Sequence, residues 1–363
     1  MSPIEAAAAA PLADGGPGSR FLAEIREQPE ALLRLIEGEA DFQSVADRMR
    51  ERSATTVRIV GHGSSDNAAS YGIYAFGLLP RWTALRDSIS LTVYYGAELD
   101  MTTSTVVALS QSGRTPDVVQ YVERARRNGA FTVGITNDPD SELAHVAEAI
   151  IPLCAGPERA VAATKTYLNQ VAALGLLAAH AAGEGPRFAD GLRRVANQLT
   201  ALVPALEETI TKVAVPFAFA GRMFVIGRGV EFGTAREVAL KLLETCRVAA
   251  EPLTATDLAH GPVVALDPMF PVWTIASDDE TLPAVLDAAA RARDAGATVI
   301  ASGSAAGEIA GADYSLPVPR PPSPLLAPLL SVVPGQLFAW ALAATKGLDP
   351  DEPRGLSKVT LAR

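Results

Sequence analysis

The spacing of apolar residues changes character twice between Phe21 and Ser65. From Phe21 to Arg52 they recur every three or four positions between charged faces, which predicts helix. From Thr55 to Val60 they form a β-branched run, which predicts a strand. That run ends in the glycine-rich turn Gly61-His62-Gly63-Ser64-Ser65, so a strand feeds a turn and then a helix. The order recurs, with strands predicted at Leu91–Tyr95 and Thr105–Leu109 and the loop Ser110-Gln111-Ser112-Gly113-Arg114-Thr115 after the second. A helix through Arg127 and a strand at Thr132–Ile135 follow. Strands alternating with helices imply a parallel sheet covered on both faces.

A second pass starts at Met223. The run Met223–Ile226 enters Gly227-Arg228-Gly229 and a helix from Ala235 to Cys246, echoing Val57–Val60 and the Gly61 turn. Strands predicted at Pro271–Ser277 and Ala297–Ser302 flank a helix from Leu282 to Ala295. The chain reads as an internal duplication: two similar α/β lobes, each a parallel sheet flanked by helices. The expected boundaries are a disordered tail at 1–19, a first lobe with leading helices at 20–200, a second lobe at 201–347 and a polar tail at 348–363. The Ala-rich stretch Thr166–Ala182 and the amphipathic stretch Phe188–Lys212 link the lobes as helices.

Composition narrows the function. At 363 residues and 48% hydrophobic content, two lobes can each bury a core. A net charge of −10 without a basic stripe argues against nucleic acid as a partner. Two cysteines, Cys154 and Cys246, form no CxxC pair and suit a reducing cytoplasm. The opening segment lacks the basic and apolar regions of a secretion signal, and no uninterrupted apolar run of membrane-spanning length is evident, so a soluble cytoplasmic protein is expected.

The Ser110–Thr115 loop lies between a predicted strand and a helix opening with Pro116 and Asp117. Such a junction offers free backbone N–H groups, hydroxyls and the positive end of a helix dipole, all suited to a phosphate. A well-capped helix start would look the same. No GxxxxGK[ST] occurs, which favours a sugar phosphate over a nucleoside triphosphate. The Gly61 turn resembles half of a dinucleotide fingerprint, but Asp66 stands where the third glycine belongs, so it reads better as a crevice-lining turn. Glu237, Lys241 and Glu244 are spaced by four and three residues and share one helix face. A solvated ion pair would give the same pattern. His260 lies in the turn Asp257-Leu258-Ala259-His260-Gly261-Pro262. His145 and His180 look structural, and His62 fits either role. Sugar proton transfer needs a carboxylate base and a ring-opening acid, which Glu244 and His260 can supply. The histidines and cysteines lack metal-ligand spacing, so neither metal nor cofactor is expected.

Several of these segments together resemble the SIS-domain phosphosugar enzymes, in particular the isomerase half of glucosamine-6-phosphate synthase and its stand-alone deaminase relatives. They are Glu24–Pro29, the Gly61 turn, the Ser110 loop, Ala162-Ala163-Thr164-Lys165, Glu237–Glu244, His260-Gly261-Pro262 and Leu356-Ser357-Lys358-Val359-Thr360. The resemblance implies two flavodoxin-like SIS lobes. It implies Ser110, Gln111, Ser112 and Thr115 on the phosphate, with Ser65 and the Val161–Thr164 loop, including Ala162, on the sugar and Ser64 at the edge. It further implies Glu244 as the base, His260 as the ring-opening group, Lys241 and Glu237 as their supports, and Lys358 on a tail that closes the site. A homodimer with shared active sites is implied too, the histidine turn coming from the partner subunit.

The chain departs from the synthase in opening Met1-Ser2, without a glutaminase domain, and in its tail and its Thr254–Asp257 segment. Without glutamine-derived ammonia the expected reaction is deamination, glucosamine 6-phosphate and water giving fructose 6-phosphate and ammonia. An isomerase or deglycase on another phosphorylated amino sugar or fructosamine, and a non-catalytic sugar-phosphate sensor, are the alternatives. A nicotinamide-linked oxidoreductase ranks last.

Overall fold

The computed structural model of the protein describes residues 15–53 and 55–358. Most of the expected N-terminal tail and the tail residues Val359 and Thr360 fall outside them. Ser19, placed in that tail by sequence, instead opens the helix Ser19–Arg26. The described chain forms two compact units. One comprises residues 28–158 and 165–196. The other comprises 15–27, 159–164 and 197–358.

The first unit carries a parallel sheet of β1 Thr56–Val60, β2 Thr83–Arg86, β3 Ser104–Leu109, β4 Phe131–Thr136 and β5 Ala149–Pro152. Its order is β2-β1-β3-β4-β5. All residues of β3 and β4 are buried, as expected where helices cover both faces of a parallel sheet. One predicted strand is wrong. Leu91–Tyr95 overlaps a short helix, Ile89–Val93, started by the Ser88 hydroxyl accepting from the Leu91 N–H. Only one side of it packs on the core, through Ile89 and Val93, while Leu91, Tyr94 and Tyr95 are 41%, 55% and 83% exposed. The strand lies earlier, at the edge strand β2, whose four residues are exposed or half-buried and carry little apolar signal.

The second unit carries β6 Arg222–Gly227, β7 Ala249–Thr254, β8 Pro271–Ile275, β9 Thr298–Gly303 and β10 Tyr314–Pro317 in the order β10-β9-β8-β6-β7. The two sheets match residue for residue at the ends of their central strands. Val60 pairs Ala108 as Ile226 pairs Thr274, and the Ser110 and Ala276 N–H groups donate to Ile135 and Ser302 at 3.2 and 2.8 Å. The segment Pro324–Thr345 is long and apolar enough to cross a membrane, which the sequence reading did not anticipate. Its most apolar stretch is 94% buried within the protein, the placement of a core helix.

Candidate functional site

In each sheet the strand order reverses between two neighbours, β1 and β3 in the first and β6 and β8 in the second. Ligands of open α/β sheets bind beyond the carboxyl ends of the strands at such a point. In the first unit the Gly61 turn and the Ser110 loop flank it. The loop is folded on itself: Gly113 N–H donates to the Ser110 carbonyl and hydroxyl at 3.2 and 3.1 Å, and the Ser110 and Thr115 hydroxyls are 3.1 Å apart. Its back is tied by Asn137 N–H, just past β4, on the Gln111 carbonyl and by Leu143 N–H, from the short helix Glu142–Val146, on the Gly113 carbonyl. Thr115 precedes the helix Pro116–Arg127 without its side chain capping the first turn, so those amides stay available to an anion. Ser65 is buried, its hydroxyl held by the buried Gln170 amide at 2.9 Å, while Ser64 is half-buried.

Gly113 takes φ +64° and packs where a Cβ would overlap the Ser141 hydroxyl and crowd Thr136. Gly113→Ala should therefore destabilise the unit by about 1–3 kcal/mol and abolish phosphate-ester binding. A thermal melt and calorimetry with fructose 6-phosphate check this, and normal binding by the variant would show that the loop is not the cradle.

Counting from the matched strands, Ser110–Thr115 corresponds to Ala276-Ser277-Asp278-Asp279-Glu280-Thr281 in the second unit, and Ser65 to Glu231. Three acids replace the polar loop. Glu231 is 1% exposed and accepts from Ser277 and Thr234 hydroxyls at 2.5 and 2.7 Å. A carboxylate of the chain thus sits beside the second loop, where the first lobe has the Ser65 hydroxyl. Burial, reinforced by Asp279, pushes the Glu231 carboxyl above the usual range despite the hydroxyls that pull it down. Ionising such a group costs stability as pH rises past the unfolded carboxylate value of about 4.3. Glu231→Gln should therefore melt like the parent near pH 4 and above it at pH 8. Parallel melting curves across that range would refute this.

The helix Phe232–Cys246 follows β6. On its inner face Glu237 and Lys241 are fully buried. Lys241 Nζ lies 3.4 Å from Glu237 Oε1 and 2.6 Å from Glu244 Oε2, the latter a close ion pair without hydrogen-bond alignment. Burial alone would lower the Lys241 pKa, but the two carboxylates outweigh it and hold the ammonium above its usual value. Glu244 is the partly open member, its side chain 23% exposed. It lines a cleft of about 530 Å³ with Leu243, Arg247, Asp349, Arg354 and Leu356.

The C-terminal segment that walls this cleft is fixed by Asp351. Its carboxylate accepts from the Phe21 and Arg20 N–H groups at 2.7 and 3.2 Å, and its carbonyl accepts from Val161 N–H at 3.1 Å. The Val161 loop, with Ala162 and Thr164 buried, therefore lies against the tail. Lys358 is half-buried and follows Leu356, but does not itself line the cleft. His260 is exposed on the short turn Asp257–His260, ahead of Gly261 at φ +131° and Val264 at 87% exposure. The structure thus unites Glu237, Lys241 and Glu244, sets the Val161 loop beside the tail, and leaves His260 outside the cleft. Sequence reasoning missed Gln170, Glu231 and Asp351, whose buried polar roles depend on residues far along the chain. Among the described residues no three His, Cys, Asp or Glu side chains are grouped as metal ligands.

Residues 52–180 and 217–346 each match the SIS domain family. The glutamine–fructose-6-phosphate aminotransferases (isomerizing) of Corynebacterium glutamicum and Pyrococcus horikoshii are each 34% identical to the chain over 95% of its length. The chain spans 58% of the length of either. The C-terminal domain of the glucosamine-fructose-6-phosphate aminotransferase of Francisella tularensis superposes with a TM-score of 0.86 at 25% identity, over 94% of this chain and 100% of that one. The fold is also that of glucosamine-6-phosphate deaminase from Thermotoga maritima, with a TM-score of 0.74 at 22% identity over 94% and 99% of the two chains. The chain therefore belongs to the SIS domain family, as two SIS repeats in tandem homologous to the isomerase domain of the glutamine–fructose-6-phosphate aminotransferases.

Proposed function

We propose that the protein is a phosphosugar isomerase acting as a deaminase, converting glucosamine 6-phosphate and water to fructose 6-phosphate and ammonia. The observation that carries this reading is Glu244, a carboxylate open to a cleft on one side and held on the other by a buried ammonium. A base at that position takes the proton from C2 of the open-chain aldose and returns it to C1, while the C1 oxygen gains a proton and the amine gives one up, leaving an alcohol at C1 and an imine at C2. Water adds to the imine carbon and ammonia departs, so that atoms and charge balance with side chains as the only acids and bases.

In this reading Ser110, Gln111, Ser112 and Thr115 hold the phosphate, and Ser64, Ser65 and the Val161–Thr164 loop hold the sugar. Lys241 and Glu237 fix Glu244, and Lys358 closes the site with the tail. His260 opens the sugar ring from the partner subunit of a homodimer. Its exposure and that of Val264 support that assignment. Both cysteines are free thiols, in keeping with the cytoplasm, where we place the protein. Incubation with glucosamine 6-phosphate, following ammonia and fructose 6-phosphate together, tests the reaction. If neither product forms while fructose 6-phosphate still binds, the deaminase is wrong and other phosphorylated amino sugars are the next substrates.

A further inference from the structure

We infer that His62, held by Asp117, is a substrate-contacting residue of the first lobe and helps determine which phosphorylated sugar it accepts. The inference rests on reading the Ser110 loop as the phosphate cradle. His62 is the second residue of the turn after β1, and Asp117 lies two residues beyond Thr115 in the first turn of the helix after β3. The 2.7 Å bond from His62 Nε2 to Asp117 Oδ2 therefore joins the two segments that flank the reversal of strand order.

The pair is asymmetric. The Asp117 side chain is 12% exposed and that of His62 is 54% exposed, so a shielded carboxylate fixes a ring that opens to solvent. Asp117 Oδ1 is buried with no hydrogen-bond partner, which leaves His62 as the visible outlet for that carboxylate's charge. The other cations of the two segments' surroundings are already matched: Arg114 with Asp138 at 3.0 Å and Arg86 with Asp66 at 2.7 Å. His62 Nδ1 is the remaining polar atom of the ring. With one ring proton, given to Asp117, Nδ1 accepts from a sugar hydroxyl; with two it donates to a phosphate oxygen. Either way the ligand it selects is an oxygen-rich phosphate ester, and Asp117 is a positioning residue.

Calorimetry with fructose 6-phosphate on the full chain tests this, comparing the parent with His62→Ala, His62→Gln, Asp117→Asn and Ser110→Ala. His62→Ala should weaken binding about tenfold, and Asp117→Asn by less because the amide oxygen can still accept the ring proton. A latch that merely joined two loops would not touch ligand. The decisive readout is therefore the His62 ring ¹⁵N resonances, identified by their loss in His62→Gln, which should shift when fructose 6-phosphate is added. Unmoved resonances and unchanged affinity, in a parent that binds and a Ser110→Ala protein that does not, overturn the role of His62 alone. Equal binding by the parent and Ser110→Ala overturns the cradle reading instead.

Discussion

Glu244→Gln should lower turnover of glucosamine 6-phosphate by about a hundred- to ten-thousand-fold, the range lost when a general base is removed. The change is nearly isosteric, and the amide oxygen can still face Lys241, so the cleft keeps its shape while losing the carboxylate that Lys241 holds at its wall. Binding of fructose 6-phosphate should persist, since the phosphate loop belongs to the other compact unit. The same substitution should stop exchange of solvent deuterium into the C1 and C2 positions of the sugar. Retained turnover would remove Glu244 as the base.

The second large effect falls on stability. Lys241→Met leaves Glu237 fully buried without its cation, an arrangement that typically costs about 3–5 kcal/mol. Combining Lys241→Met with Glu237→Gln should recover most of that loss, because the buried charge is removed with its partner. Recovery of stability without recovery of turnover would separate the two duties of Lys241, which neutralises Glu237 and steadies Glu244. Its raised pKa means that its contribution is complete below the unfolded lysine value of about 10.4 and fades only as pH climbs beyond it. Denaturation at pH 6 and 8 should therefore show the same penalty for Lys241→Met. A penalty that vanished within that span would contradict the ion triad.

How far this was legible in sequence depended on where each element sits. The central strands β3, β4, β6, β8 and β9 are buried almost throughout, and β1 buries Val57, Ile59 and Val60 beside half-buried Thr56 and Arg58, so apolar runs made the duplication visible. The edge strands were not. Ala149–Pro152 and Tyr314–Pro317 alternate in burial over only four residues, and Ala249–Thr254 carries Glu251 and Pro252 in an exposed setting. The triad's membership followed from helical spacing, but its burial did not, since the same spacing describes a solvated pair. The Asp117 link to His62 was out of reach for a different reason: it depends on a turn and a helix start, 55 residues apart in sequence, meeting beyond the carboxyl ends of two neighbouring central strands.

Asp351 bears on how the chain is made. Its carboxylate receives the Phe21 N–H across 330 residues of sequence, and the Arg159–Thr164 loop is tied to the same unit by Glu24 and by the Asp351 carbonyl. During synthesis the Ser19–Arg26 helix emerges before any other described helix, yet the carboxylate that anchors it is translated 330 residues after Phe21. The unit formed by residues 28–158 and 165–196 has all of its own strands long before then. The order of emergence therefore sets the first unit to fold on the ribosome, with the amino-terminal helix waiting for the tail. A nascent chain stalled short of Asp351 should hold a protease-resistant first unit beside a cleavable amino-terminal segment.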